Sequence, residues 1–154
     1  MVNDNIEPIE ILLVEDNAGD ARLAVETLKE SKMRNNLYHA KDGVEALDFL
    51  HQRERYGGMP RPDLVLLDLN LPKKDGREVL EEMKSDAELR LIPVVILTTS
   101  AAERDLIKTY GLHANAYIVK PLDLDQFVEV VQAIETFWFT VVKLPQLVEG
   151  GGQA

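Results

Sequence analysis

DLVLLDLNLPKKDG, residues 63–76, is the stretch around which the rest of the chain is arranged. Its apolar run stops abruptly on Asp68, and Leu69, Asn70, Leu71 and Pro72 lead into a charged turn closed by Asp75 and Gly76. A carboxylate therefore stands where a strand ends. In a parallel sheet the carboxyl ends of the strands open on the ligand crevice, so an acid there is exposed on one side and rigidly held on the other. Taken alone, Asp68 fits a turn-starting acid equally well. The flanking segments have to decide between the two.

Working outward, IEILLV at 9–14 is a short branched apolar run between Pro8 and Glu15-Asp16-Asn17, and it reads as a buried strand ending on carboxylates. Asn17 or Asp16 can cap the next helix, whose apolar face is expected to carry Ala21, Leu23, Ala24, Val25 and Leu28. After a polar break at 31–36, residues 37–41 alternate weakly, as a strand near the sheet edge does. Asp42-Gly43 turns into a helix carrying Val44, Ala46, Leu47, Phe49 and Leu50, which stops before YGGMP at 56–60. Beyond Asp68 a helix is expected over 77–87, with Val79, Leu80 and Met83 on one face. Pro93 opens VVIL at 94–97, ending on Thr98, Thr99 and Ser100. A helix over 101–110 with Gly111 as its C-cap, the strand AYIV at 116–119 stopping at Lys120-Pro121, and a last helix from near Asp123 complete the pattern.

Five strand signals alternating with five helix signals predict a three-layer, doubly wound (βα)5 domain, helices covering both faces of a parallel sheet. All strand ends then share one edge, which collects Glu15, Asp16, Asp68, Thr98 and Lys120. Acids brought this close repel unless something neutralises them. Hard oxygen ligands without His or Cys suit Mg2+. A carboxylate beside such a cation, a lysine and a hydroxyl can accept a phosphoryl group by in-line attack.

Composition agrees with an ordinary globular chain: 154 residues, 45% hydrophobic and 29% charged. The formal net charge of -10 disfavours nucleic acid and anionic membrane surfaces as partners. Cysteine is absent, so there is neither a disulfide framework nor a thiolate metal site. The opening MVNDNIEPIE resembles no signal peptide and no apolar run approaches a membrane span, so a cytoplasmic location is expected.

LLVEDN at 12–17, LVLLDLNLPKKDG at 64–76, PVVILTTS at 93–100 and AYIVKP at 116–121 occur in that order. Together they resemble the receiver domains of response regulators, the phosphoacceptor half of two-component signalling, over roughly residues 9–140. The resemblance implies a flavodoxin-like fold with strand order 2-1-3-4-5. It makes Asp68 the phosphorylated residue, Asp16 a direct ligand of Mg2+ or Mn2+, Glu15 a ligand mainly through water, and Asn70 a donor of its backbone carbonyl. Thr98 and Lys120 correspond to the switch hydroxyl and the phosphate-pairing lysine, Tyr117 to the aromatic switch, and Pro121 to a cis-proline. Thr99, beside the phosphate, stands where the family commonly has a small residue, and Glu15 replaces the commoner Asp.

VEDNAGDARL at 14–23 and LTTSAAERDL at 97–106, with the aromatic run Phe137, Trp138 and Phe139, are similar to stand-alone regulators serving phytochromes of cyanobacteria and other bacteria. Three consecutive aromatics cannot all face the sheet from one helix, so at least one is expected to point outward, and the resemblance implies a protein interface there. The implied partners are a sensor histidine kinase, a histidine phosphotransferase or other downstream protein, and a second copy docked through the fourth and fifth helix face. A receiver over 1–144 with an extended last helix and a flexible tail over 145–154 is expected, with no output domain; the chain signals by binding, and catalyses only its own phosphorylation and dephosphorylation. A phosphorelay intermediate is the alternative. A Mg-dependent aspartyl phosphatase fits less well, because Asn70 stands where such an enzyme places a second Asp as general acid. His39, His51 and His113 share no spacing and are expected in surface or packing roles, and Lys73-Lys74 in a solvated turn.

Overall fold

Residues Ile9–Val14 (β1), Asn35–Ala40 (β2), Leu64–Asp68 (β3), Val94–Thr98 (β4) and Ala116–Val119 (β5) form one parallel sheet in the order β2-β1-β3-β4-β5 in the computed structural model. The structure describes residues 8–30, 34–69, 71, 73–98, 114, 116–120, 125, 126 and 129. The helix expected over 101–110 lies outside these residues, and of the one expected from near Asp123 only Asp125, Gln126 and Glu129 are described, all helical. The α-helices described over their whole length are Ala18–Glu30 (α1), Gly43–Leu50 (α2) and Gly76–Ser85 (α3).

Strand position follows from hydrophobic pattern. LVLLD and VVILT have every residue buried, as central strands covered on both faces require. NNLYHA is half polar and lies at the edge, its burial alternating weakly. Period-two alternation then sorts the core into two layers. Ile11, Leu13, Leu64, Leu66, Val95, Leu97 and Ile118 pack with Ala21, Ala24 and Leu28 of α1. Leu12, Val14, Val65, Leu67, Val94 and Ile96 pack with α2 and α3 on the other face. Each fully buried Leu or Ile stabilises the fold by about 1.5–3 kcal/mol. The expected doubly wound architecture is thus present.

Helix starts are set by side-chain caps. Asn17 Oδ1 accepts from Asp20 N at 2.8 Å, so Asn17, not Asp16, caps α1. Asp42 caps α2 through Glu45 N, and Asp75 with Glu78 forms a reciprocal capping box on α3. Three expectations need correction. Leu23 is 41% exposed, off the apolar face, because that face is completed by Thr27 with Ala21, Ala24 and Leu28. The third helix ends at Ser85, earlier than 87, because Asp86 Oδ1 accepts from Glu88 N at 2.8 Å and Leu89 N at 3.0 Å and starts a 3-10 turn at Leu89–Leu91. The edge strand also begins at Asn35, two residues before its alternation does.

Described residues of the loop between β3 and α3 approach their surroundings closely. Gly76 N donates to Leu69 O at 3.0 Å, and a Cβ on Gly76 would lie 2.3 Å from Asp68 O and 2.6 Å from Leu69 Cα. A Cβ on Gly43 would meet Lys74 O at 1.9 Å, so α2 and this loop also touch backbone to backbone. Gly76→Ala is expected to destabilise the protein by about 2–3 kcal/mol through overpacking, despite alanine's better helix propensity. Gly58→Ala, with nothing within 4 Å of the added carbon, should be neutral to about 0.5 kcal/mol. Urea unfolding midpoints of the two variants check this; equal midpoints would show that the loop yields freely.

Candidate functional site

Counting by twos along the strands explains why certain charges meet. Leu13, Leu66 and Ile118 face α1, and two residues further on stand Glu15, Asp68 and Lys120, at or just past the carboxyl ends of β1, β3 and β5. Lys120 must reach across β4 to the β3 end, two inter-strand spacings or about 10 Å, which a four-carbon stem can bridge. Lys120 N donates to Thr98 O at 2.7 Å, which fixes where the side chain starts.

The ammonium of Lys120 ends among three carboxylates. It lies 2.9 Å from Glu15 Oε1, 3.0 Å from Asp20 Oδ2 and 3.2 Å from Asp68 Oδ2. Glu15 and Asp68 are almost wholly buried, with side-chain exposures of 1% and 3%. Burial penalises the Lys120 cation, but Glu15, Asp20 and Asp68 outweigh it and hold its pKa above the ordinary lysine range. For Glu15 the balance goes the other way. Burial, reinforced by Asp68 and only partly opposed by Lys120, pushes its carboxyl up from 4.5 to about 7.

One oxygen each from Glu15, Asp16 and Asp68 lies within 4.8 Å of the others. Asp16 is the exposed member of the three. Glu15 Oε1 is buried and makes no aligned hydrogen bond among the described residues, although the ammonium is close by. A buried carboxylate oxygen in this condition, beside two further acids, fits a hard divalent cation such as Mg2+ or Mn2+, which prefers oxygen donors.

The structure therefore brings together Glu15, Asp16, Asp68 and Lys120 as the sequence predicts. Thr98 ends β4, fully buried, in the strand next to Asp68. Tyr117 pairs in register with Ile96 and is half-buried against the layer that holds α2 and α3. Asn70, Thr99, Pro121, Phe137, Trp138 and Phe139 lie outside the described residues, as does His113. Two neighbours escaped sequence reasoning. Asp20 is one turn into α1, and only the fold takes it to Lys120, 100 residues away. His39, at the end of the edge strand, donates from Nε2 to Glu15 O at 2.7 Å and so steadies the backbone that carries Glu15.

Lys73 and Lys74 are not merely solvated. Lys73, at φ 65°, pairs with Asp42 at 3.5 Å, and Lys74 pairs at 3.3 Å with Glu82, which also receives His51 at 3.1 Å. These contacts tie the loop after Asp68 to α2 and α3. Being partly exposed, each contributes little alone; together they restrict the loop.

The Glu15 shift gives a signed prediction. With its pKa raised in the folded state, Glu15 keeps a proton that the unfolded chain releases. Its stabilising contribution is complete below about pH 4.5 and is lost as pH rises through 7. Relative to Glu15→Gln, the cation-free wild type should lose up to about 3 kcal/mol of stability between pH 5 and 8, at 1.36 kcal/mol per pKa unit. Saturating Mg2+ should shrink that loss, because binding selects the deprotonated carboxylate. Urea titrations across this range check both parts; a loss unaffected by Mg2+ would place Glu15 beyond the cation's influence.

Comparison with known proteins agrees with this geometry. The response regulator receiver domain family matches residues 11–132. Response regulator Rcp1 of Synechocystis is 50% identical over 145 residues, covering 94% of this chain and 99% of that protein. The Mn(2+)-bound form of Rcp1 superposes with a TM-score of 0.70 at 51% identity, over 88% of this chain and 97% of the other. The phosphorylated cyanobacterial phytochrome response regulator RcpA gives 0.72 at 48% identity, over 88% and 97%. The bacteriophytochrome response regulator AtBRR gives 0.80 at 44% identity, over 86% and 96%. With the strand order, the edge acids and the lysine already in place, the chain belongs to the response regulator receiver family.

Proposed function

We propose that Asp68 is the phosphoacceptor of this receiver and that its donor is a phosphohistidine of a phytochrome-type sensor kinase. The observation that carries the reading is the Lys120 ammonium 3.2 Å from Asp68 Oδ2, on the edge where Glu15 and Asp16 gather. In the transfer, an Asp68 carboxylate oxygen attacks phosphorus and forms a P–O bond. The P–N bond to the kinase imidazole breaks, and its electron pair returns to the ring nitrogen, which takes up a proton. The product is an acyl phosphate on Asp68. Mg2+ or Mn2+, held by Glu15, Asp16, Asp68 and the Asn70 carbonyl, supplies charge neutralisation when bound.

The protein's own share is orientation. The capped, clamped loop and buried strand keep Asp68 fixed, and Lys120 offers its charge to the incoming phosphoryl oxygens. Thr98, with Thr99 beside it, binds the phosphoryl group, and Tyr117 follows Thr98 inward, biasing an existing equilibrium of the surface that a partner reads. A cis Lys120-Pro121 bond presents the lysine. The partner is a second copy docked through the fourth and fifth helix face, with Phe137, Trp138 and Phe139 at the interface, or a downstream protein in the cytoplasm. The phytochrome link is supported by the similarity to phytochrome response regulators.

Asp68→Asn should abolish uptake of label from acetyl phosphate in Mg2+, while the wild type is labelled; label retained by the variant would move the acceptor elsewhere. Sedimentation with and without beryllofluoride should show a dimer in at least one state. A monomer in both, at high concentration, would remove the self-association.

A further inference from the structure

Asp20 stands outside the cluster of carboxylates suited to a cation, yet it holds the same lysine. Its Oδ2 accepts a hydrogen bond from Lys120 Nζ at 3.0 Å, and its own N–H is anchored on the Asn17 cap. A lysine ammonium has three donors, and here they face Glu15, Asp20 and Asp68. The three partners differ in what else they can do. Glu15 and Asp68 are buried and belong, with Asp16, to the group of three oxygens. Asp20, 40% exposed, does not.

With the oxygens of Glu15 and Asp68 turned to a divalent cation, their attraction for Lys120 is shared and the two positive charges repel. The lysine's long stem would then be free to leave. Asp20 lies in the first turn of α1, outside the group of three oxygens, so its attraction for the ammonium is not shared with the cation. We propose that Asp20 is a positioning residue, which anchors the Lys120 ammonium beside Asp68 while Glu15 and Asp68 serve the cation. The lysine then meets the incoming phosphoryl group already in place. This role rests on Asp68 being the phosphoacceptor.

Two readouts on Asp20→Asn, which keeps a hydrogen-bonding oxygen but removes the charge, test it. Nuclear magnetic resonance of lysine-labelled protein in saturating Mg2+ should show an ordered Lys120 side chain in the wild type and a mobile one in the variant; equal order in both overturns the anchor. In acetyl phosphate labelling, Asp20→Asn should slow the maximal rate about tenfold, with half-saturation by Mg2+ unchanged to within about twofold. In a Lys120→Met background the same change should alter the rate by less than about twofold. An equal loss in both backgrounds means that Asp20 acts through the folding of α1, and overturns the proposal. A wild type that takes no label, yet whose Lys120 loses order in Asp20→Asn, refutes the acceptor and upholds the anchor.

Discussion

Two buried carboxylates held against one ammonium are the constraint on which this molecule turns. Glu15 and Asp68 sit at the ends of neighbouring strands because a parallel sheet brings all its carboxyl ends to one edge. Charges so deeply buried are costly unless paired. Lys120, arriving from β5 across β4, supplies the pairing, but it does not satisfy both acids fully: Glu15 is left with a raised pKa and an oxygen without an aligned hydrogen bond. The site is therefore electrostatically incomplete, and that incompleteness suits a divalent cation.

Rigidity around the site comes from less conspicuous residues. Gly43 and Gly76 let backbone approach backbone where a methyl group would collide, and Lys73 and Lys74 join the loop after Asp68 to α2 and α3. The capping box of Asp75 and Glu78 fixes where that loop becomes helix. These features place β3, its loop and the next helix in one body. Asp68 is thereby carried on a held framework instead of a yielding loop.

Much of this was legible in order along the chain. Fully apolar runs marked β3 and β4 as central, and the weak alternation of residues 37–41 marked β2 as an edge. Strand-end acids and Lys120 could be assembled once all strands were taken to point one way. Asp20 and His39 could not, because Asp20 lies inside α1, His39 lies on the edge strand away from the acids in sequence, and their contacts cross 100 and 24 residues. Leu23 looked apolar in a helical pattern, but the exposed flank of α1 accommodates it. The Asp86 turn was hidden because a polar residue late in a helix reads the same whether it faces water or bonds back to the chain.

Periodicity and the types of residue at strand ends are local properties, written in the chain at spacings of two and between three and four. They were sufficient for the succession of five parallel strands and for the strand-end carboxylates, while the ordered motifs around those residues carried the family resemblance. Which carboxylate each donor of Lys120 meets is a different kind of fact. It depends on strand register, on the depth of burial and on α1 lying over the same sheet face as Glu15 and Asp68. Electrostatic energy varies with distance and surrounding polarity. Only the packed structure could decide that Glu15 is the strained acid, and that Asp20 is the one holding the lysine from outside.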